Sequence, residues 1–304
     1  MVTIINKGNR VLKNQQKYIE YLTNLENELS QINIDNEVKR NFKLEERKNI
    51  IKQIELLVPI IGAFSAGKSS LLNSFLGKNY LPVGLTPETA LATELRYSNE
   101  EYIEAVKADG SIEKFEIDKI DEITKISHQF KYLRMFIQNK KLQEIEPLIM
   151  VDMPGFESPL DLHNQAIMEY INRGVHYIIL TSVEDGTITR SMVRQLTDIR
   201  EYGRDFSFFL SKTNLRAKSE AEAIAQNVSE QIEEHFDIEQ EVILIDDNGG
   251  ESLSKILFSI DPNSLVKNLF IDDLKDNYYS ITEIINTTIS AYSTPKVKTT
   301  QKKI

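Results

Sequence analysis

Two rhythms of apolar and polar positions run along the chain. Near the start, Tyr18, Leu22, Leu25, Leu29 and Ile32 are spaced alternately by four and by three. Together with Val11 they mark a coiled-coil-like stripe on helix across residues 10–55, with a break expected near Asn33–Asn36. Near the other end, Leu274, Tyr278, Ile281, Ile285, Thr288 and Tyr292 repeat that rhythm. Periodicity names a buried face but not its partner, so each stripe either caps the core or pairs with the other in a small bundle.

Between the two stripes, short apolar runs alternate with helical stretches. That alternation predicts a mainly parallel sheet covered by helices on both faces. The expected strands are Leu56–Ile61, Ala92–Tyr97, Pro147–Asp152, Val175–Thr181, Phe206–Ser211 and Glu241–Ile245. Helices are expected at Lys68–Leu76, Thr189–Tyr202, Lys218–Phe236 and Glu251–Ser259, and a hairpin over 101–117 turning at Ala108-Asp109-Gly110-Ser111. Pro59 has no N–H for a ladder, so its place in the first strand predicts a bulge or a shorter strand.

Composition narrows the function classes. The chain has 304 residues, 41% hydrophobic and 27% charged, and a formal net charge of -10. That charge argues against a general nucleic-acid binder, which needs clustered Lys and Arg. No apolar run approaches the ~20 residues of a membrane span, and the polar start offers no signal-peptide core. With no cysteine there are no disulfides or thiolate metal sites, and a cytoplasmic protein is expected. The end, Ser293 to Ile304, carries four lysines and no acid. It reads as a flexible basic tail too sparsely charged to anchor the chain to a membrane by itself. The four histidines, His128, His163, His176 and His235, have no metal-ligand spacing and read as structural or surface residues.

The chemistry concentrates after the first strand, at Gly62-Ala63-Phe64-Ser65-Ala66-Gly67-Lys68-Ser69. A strand precedes this run, and the helix that it opens continues through Ser70-Leu71-Leu72, which is the context a P-loop requires. Gly62 and Gly67 permit turns that point successive backbone N–H groups at phosphates, and the helix N-terminus adds partial positive charge. Lys68 is expected to reach the β- and γ-phosphates and the Ser69 hydroxyl to ligate Mg²⁺. Asp152-Met153-Pro154-Gly155 ends the apolar strand Leu148-Ile149-Met150-Val151. There Asp152 can hold the Mg²⁺ shell and the Gly155 N–H can sense the γ-phosphate. The loop Leu81-Pro82-Val83-Gly84-Leu85-Thr86-Pro87-Glu88-Thr89 supplies a candidate switch threonine, Thr89, with Thr86 as the alternative.

In order and spacing, residues 67–77, 81–89 and 152–155 resemble a dynamin-like GTPase of the bacterial kind, over roughly residues 50–260. The resemblance implies a P-loop GTPase domain of α/β class, with a mainly parallel central sheet flanked by helices. It also implies that helices on either side of that domain pair into a short neck bundle. The expected organisation is therefore N-terminal helices at 1–55, the GTPase domain at 56–262, a C-terminal helix at 263–292 and a tail at 293–304. By this resemblance Ser65 helps hold a charge-compensating monovalent cation, K⁺ or Na⁺, beside Mg²⁺, and Thr89 positions the attacking water. Phe156, where other GTPases carry glutamine, suits a family that relies on that cation and on face-to-face pairing of GTPase domains. Implied partners are GTP and GDP, a second copy or another dynamin-like chain, and membrane only indirectly, peripherally at the inner membrane.

Three departures stand out. The base-reading motif, Asn/Thr-Lys-x-Asp in the family, is Ser211-Lys212-Thr213-Asn214. An amide offers one acceptor and one unwanted donor where a carboxylate accepts both guanine N–H groups. Lys212 can still lay its stem over the base. The last base-contacting loop, Ile245-Asp246-Asp247-Asn248-Gly249-Gly250, is acidic. It reads as a solvated turn or as the source of a replacement carboxylate, with Asp246 the candidate taken here. Finally, no long stalk helices follow, which suits a compact member, one half of a two-chain system, or a piece of a longer protein. The competing functional reading is a nucleotide-binding switch with weak hydrolysis that recruits a partner through its helical bundle.

Overall fold

The structure is a computed structural model and describes residues 12–31, 40–63, 65–84, 91–155, 170 and 172–293, with side chains to 290. Val11, Ile32, the break near Asn33–Asn36, Phe64, Thr86, Thr89, Phe156, His163 and most of the basic tail lie outside the described residues. The chain divides into two compact units, one built on Glu55–Pro262 and the other on Val11–Ile54 with Asn263–Ile304.

In the first unit the strands are β1 (Leu56–Gly62), β2 (Thr93–Tyr97), β3 (Tyr102–Val106), β4 (Ile112–Glu116), β5 (Tyr132–Ile137), β6 (Leu148–Asp152), β7 (His176–Ser182), β8 (Asp205–Ser211) and β9 (Val242–Leu244). They form one sheet in the order β4-β3-β5-β2-β6-β1-β7-β8-β9. From β6 to β9 every pairing is parallel. On the other side β2 runs antiparallel to β6, β5 parallel to β2, and the hairpin β3–β4 closes the edge. The expected mixed α/β class with a mainly parallel sheet is thus the observed one. Its helices are α3 (Lys68–Leu76), α4 (Ile120–Lys125), α5 (Lys140–Glu144), α6 (Arg190–Glu201), α7 (Lys218–Phe236) and α8 (Gly250–Ser259). Leu196 and Ile199 of α6 and Val228 and Ile232 of α7 join Tyr177, Ile179, Phe208 and Leu210 in a core on one face of the sheet.

Pro59 sits inside a full-length β1 and is buried. The Val175 N–H donates to the Leu57 carbonyl at 2.9 Å, so Leu57 and, two residues on, Pro59 turn their polar groups toward β7. On that side the register slips: Leu57 faces Gly174, whereas Ile60 faces Ile178. Three steps along β1 therefore match four along the facing chain, and the extra residue lies where the proline has no donor to give. On the β6 side Pro59 pairs with Val151 without interruption. Of the two sequence expectations, the bulge is the one realised.

Glu94 on β2 is fully buried. Its carboxylate accepts from Arg96 Nε at 2.9 Å and Nη2 at 2.5 Å and from the Tyr170 hydroxyl at 2.9 Å, with Arg134 at 3.5 Å. Arg96 also reaches Glu55 at 2.8 Å, and Arg173 pairs with Glu55 at 3.1 Å. Burial together with the neighbouring Glu94 carboxylate holds the Tyr170 phenol well above its ordinary range. Removing one side of a buried ion pair typically costs about 3–5 kcal/mol. Since Arg96 keeps Glu55, Glu94→Ala is expected to lose about 3 kcal/mol. The urea unfolding midpoint measures this, and an unchanged midpoint would refute the network's role.

The second unit holds α1 (Lys13–Gln31), α2 (Leu44–Lys52) and most of α9 (Pro262–Ser293). On α1 the buried seam is Gln15, Leu22 and Leu29, one residue per two turns. On α9 it is Val266, Phe270, Leu274, Asn277 and Ile281. Here the pattern differs from expectation, because Tyr278 is exposed and Asn277 takes the seam. The helices from the two ends of the sequence meet. The Asn14 backbone N–H and side chain bond Asn263 at 3.2 and 2.9 Å, Gln15 bonds the Ile51 carbonyl at 2.8 Å, and Arg47 pairs with Asp273.

Candidate functional site

Parallel strands place their carboxyl ends along one edge of a sheet, and that edge collects the predicted chemistry. The loop after β1 enters α3, Asp152 ends β6, Ser211 ends β8, and the acidic loop follows β9. A cavity of about 320 Å³ opens here, lined among others by Ser65, Gly67, Lys68, Ser69, Ser70, Asp152, Gly155 and Lys212. Eight sequence-predicted residues thus share one cavity. Asn214 and Asp246 lie beyond its lining, while Gly62, Ala63 and Ala66 contribute backbone groups behind it.

The two loop glycines are needed for different reasons. Gly67 precedes α3 with φ +90°, a left-handed conformation that disfavours a side chain, and a Cβ there would meet nothing within 4 Å. Gly62 is needed for space, since a Cβ would stand 2.1 Å from the Leu180 carbonyl oxygen of β7.

Lys68 is buried, and its ammonium donates to the Gly62 and Ala63 carbonyls at 3.1 and 2.9 Å. Burial pushes its pKa down to about 8, against an upward pull from Asp152. The Ser69 hydroxyl donates to Asp152 Oδ2 at 2.7 Å, whereas the buried Oδ1 has no hydrogen-bond partner. Burial raises the Asp152 carboxyl above its ordinary range, and the Ser69 bond and the Lys68 charge offset part of that. A hydroxyl beside a carboxylate with one unsatisfied oxygen is a hard-oxygen donor set of the kind Mg²⁺ takes. Ser69 and Asp152 therefore fit the ion. Among the described residues no cluster of three or more His, Asp and Glu could hold a metal.

Ser211, passed over in sequence, ties the site together. Its hydroxyl faces the Ala66 carbonyl at 2.7 Å and the Thr181 carbonyl at 3.1 Å, linking the end of β8 to the loop after β1. The signal was present, since Ser211 occupies the first position of the altered base motif. Lys212 follows in a left-handed conformation, φ 58°, and its ammonium pairs with Glu184. Asp246 Oδ1 accepts from the Asn248 backbone N–H at 2.8 Å and so caps its own turn. The carboxylate that reaches Asn214 belongs to Asp247, at 3.3 Å.

Comparisons with known proteins bear on the family and the fold. Residues 58–213 match the model of the Dynamin family. A protein of Caldicellulosiruptor sp., described as uncharacterized and lying in the xynA 3′ region, is 25% identical over 224 residues, which is 69% of this chain and 51% of that protein. Dynamin-like protein 2 of Campylobacter jejuni is 34% identical over 126 residues, 41% of this chain and 19% of that one. The chain thus spans about half of the first relative and a fifth of the second. Among solved structures, a chain of an oligomerised bacterial dynamin pair, described as providing a mechanism for long-range sensing and tethering of membranes, superposes with a TM-score of 0.59. At 17% identity, over 92% of this chain and 57% of that one, it supports the fold alone.

Proposed function

From the premise that this chain belongs to the dynamin family, we propose that it is a Mg²⁺-dependent GTPase whose GTPase domains pair when nucleotide is bound. The observation that carries the proposal is the Ser69–Asp152 pair, with its unsatisfied Oδ1, beside the buried Lys68 at one cavity.

On this reading the backbone N–H groups from Gly62 through Phe64 to Ser70 cradle the phosphates. Lys68 exchanges its two carbonyl partners for β- and γ-phosphate oxygens, which are stronger, charged acceptors. Ser69 and Asp152 would hold Mg²⁺, joined by Thr89 as the family resemblance implies. When bound, the ion supplies positive charge to the β- and γ-oxygens, where negative charge develops. The Gly155 N–H turns toward the γ-phosphate, and Ser65 would help hold K⁺ or Na⁺, which would supply compensating positive charge. Lys212 lies along the base. Pairing of two GTPase domains, in one homodimer or with another dynamin-like chain, completes the site. No described helix is long and apolar enough to cross a membrane.

Phosphate release with GTP, with and without Mg²⁺, tests the reading. Asp152→Ala is expected to lower turnover by roughly a hundred-fold, the usual loss when one charge-stabilising group is removed. Specific activity should rise with protein concentration. Tight binding without release from any triphosphate would instead favour a switch that recruits a partner. Specific activity that stays flat with concentration would remove the pairing step.

A further inference from the structure

The loop after β9 brings a carboxylate, that of Asp247, against the motif at 211–214. Guanine presents two neighbouring donors, N1–H and the 2-amino group, and a reader must offer an acceptor to each. Asn214 alone has one acceptor, Oδ1, and an N–H₂ that would face a guanine N–H donor to donor.

The geometry of Asn214 resolves the conflict. Its Nδ2 donates to Asp247 Oδ2 at 3.3 Å. An ionised carboxylate can only accept, so this contact fixes which end of the amide faces Asp247 and leaves Oδ1 turned the other way. The two loops are clamped just before these residues. The Thr213 backbone N–H and hydroxyl both donate to the Ile245 carbonyl, at 3.2 and 3.0 Å, and the Ile245 N–H donates to Leu210 at 2.9 Å. Asp246 is engaged within its own turn. Asn214 and Asp247 are both exposed, at the end of the sheet where Lys212 lines the cavity.

We propose that Asn214 and Asp247 together read guanine. The Asn214 Oδ1 accepts one base N–H and the Asp247 carboxylate accepts the other, while their mutual bond removes the misplaced amide donor. Two side chains from two loops do what one aspartate does in the usual motif. The inference rests on the nucleotide-site reading above and adds the residue that sets base choice.

Xanthine separates this proposal from its absence, because it carries a carbonyl where guanine carries the 2-amino group. An Asn214 acting without Asp247 would offer its N–H₂ to that carbonyl and favour xanthine. The experiment is calorimetric binding of GDP, IDP and XDP to the wild type and to Asp247→Asn. The wild type should bind GDP at least roughly ten-fold more tightly than IDP or XDP, the worth of one hydrogen bond to a charged acceptor. Asp247→Asn should weaken GDP by roughly ten- to a hundred-fold and shift preference toward XDP. A wild type that prefers XDP, or a variant with an unchanged GDP-to-XDP ratio, overturns the proposal. Equal, tight binding of all three nucleotides overturns the shared reader while leaving the phosphate site standing. Binding of none overturns both.

Discussion

Lys68→Met is expected to weaken nucleotide binding strongly and, in the same protein, to raise the stability of the nucleotide-free fold. The two effects share one cause. The ammonium is buried, with only the Gly62 and Ala63 carbonyls as partners, and burial pushes its pKa down to about 8 from the ordinary lysine value of 10.5. That depression corresponds to about 3 kcal/mol by which the folded, nucleotide-free state disfavours the charge. Methionine fills similar space without the charge and forgoes two hydrogen bonds of about 1 kcal/mol each, so a net gain of about 1 kcal/mol is expected. The sign with pH follows from proton counting. Between about pH 8 and 10.5 the unfolded chain holds the proton that the folded chain has released, so wild-type stability rises with pH across that window. Below pH 8 the penalty is complete and the variant's advantage is greatest. Urea unfolding with EDTA and no nucleotide, at pH 7 and pH 10, measures this. An advantage of equal size at both pH values would refute the buried-charge account. Catalysis moves the other way, with turnover falling by roughly a hundred- to a thousand-fold. Wild-type affinity for GTP should also decline above pH 8, where binding must first restore the proton.

Gly62→Ala is expected to damage both the fold and the site. A Cβ at residue 62 would stand 2.1 Å from the Leu180 carbonyl oxygen and 3.1 Å from its carbon. Both are backbone atoms of a central strand, so no side chain can rotate away. β1 and β7 must separate, at a cost of about 3 kcal/mol, the upper end of the usual overpacking penalty. Separation also displaces the Gly62 carbonyl that holds Lys68, so nucleotide affinity should fall with stability. Gly67→Ala is the informative contrast. Its Cβ meets nothing within 4 Å and its cost is conformational alone, at φ +90°, about 1–2 kcal/mol. Equal losses in the two variants, measured by chemical unfolding, would show that crowding against β7 is not what requires Gly62.

Long, strongly patterned elements were legible in the sequence. Helices at 68–76 and 218–236 fall where their periodicity and flanking loops put them, and Asp109-Gly110 marks the hairpin turn. Strand β5 was not anticipated, although Leu133, Met135 and Ile137 alternate inward. Its outward Tyr132, Arg134 and Phe136 blur the alternation, and no glycine or proline punctuates its ends. Helices α4 and α5 span six and five residues, too few for a helical period to declare itself. At the candidate site, the grouping of Ser65, Gly67, Lys68 and Ser69 at one cavity was readable because these residues are neighbours in sequence. The contact between Asn214 and Asp247 was not, because it joins residues 33 apart. No local pattern distinguishes Asp247 from Asp246; the turn that occupies one carboxylate and frees the other exists only in three dimensions.

The register slip beside Pro59 has a consequence for where the chain can bend. Had the pairing of Leu57 with Gly174 continued unslipped, Gly62 would lie opposite Ile179; after the slip it lies opposite Leu180. Shifting a strand by one residue exchanges inward and outward positions. The missing proline donor therefore sets the phase in which β7 passes the end of β1. It brings a carbonyl oxygen against the one residue there that has no side chain. A proline three residues upstream thereby helps decide which residue ends the strand and begins the turn into α3.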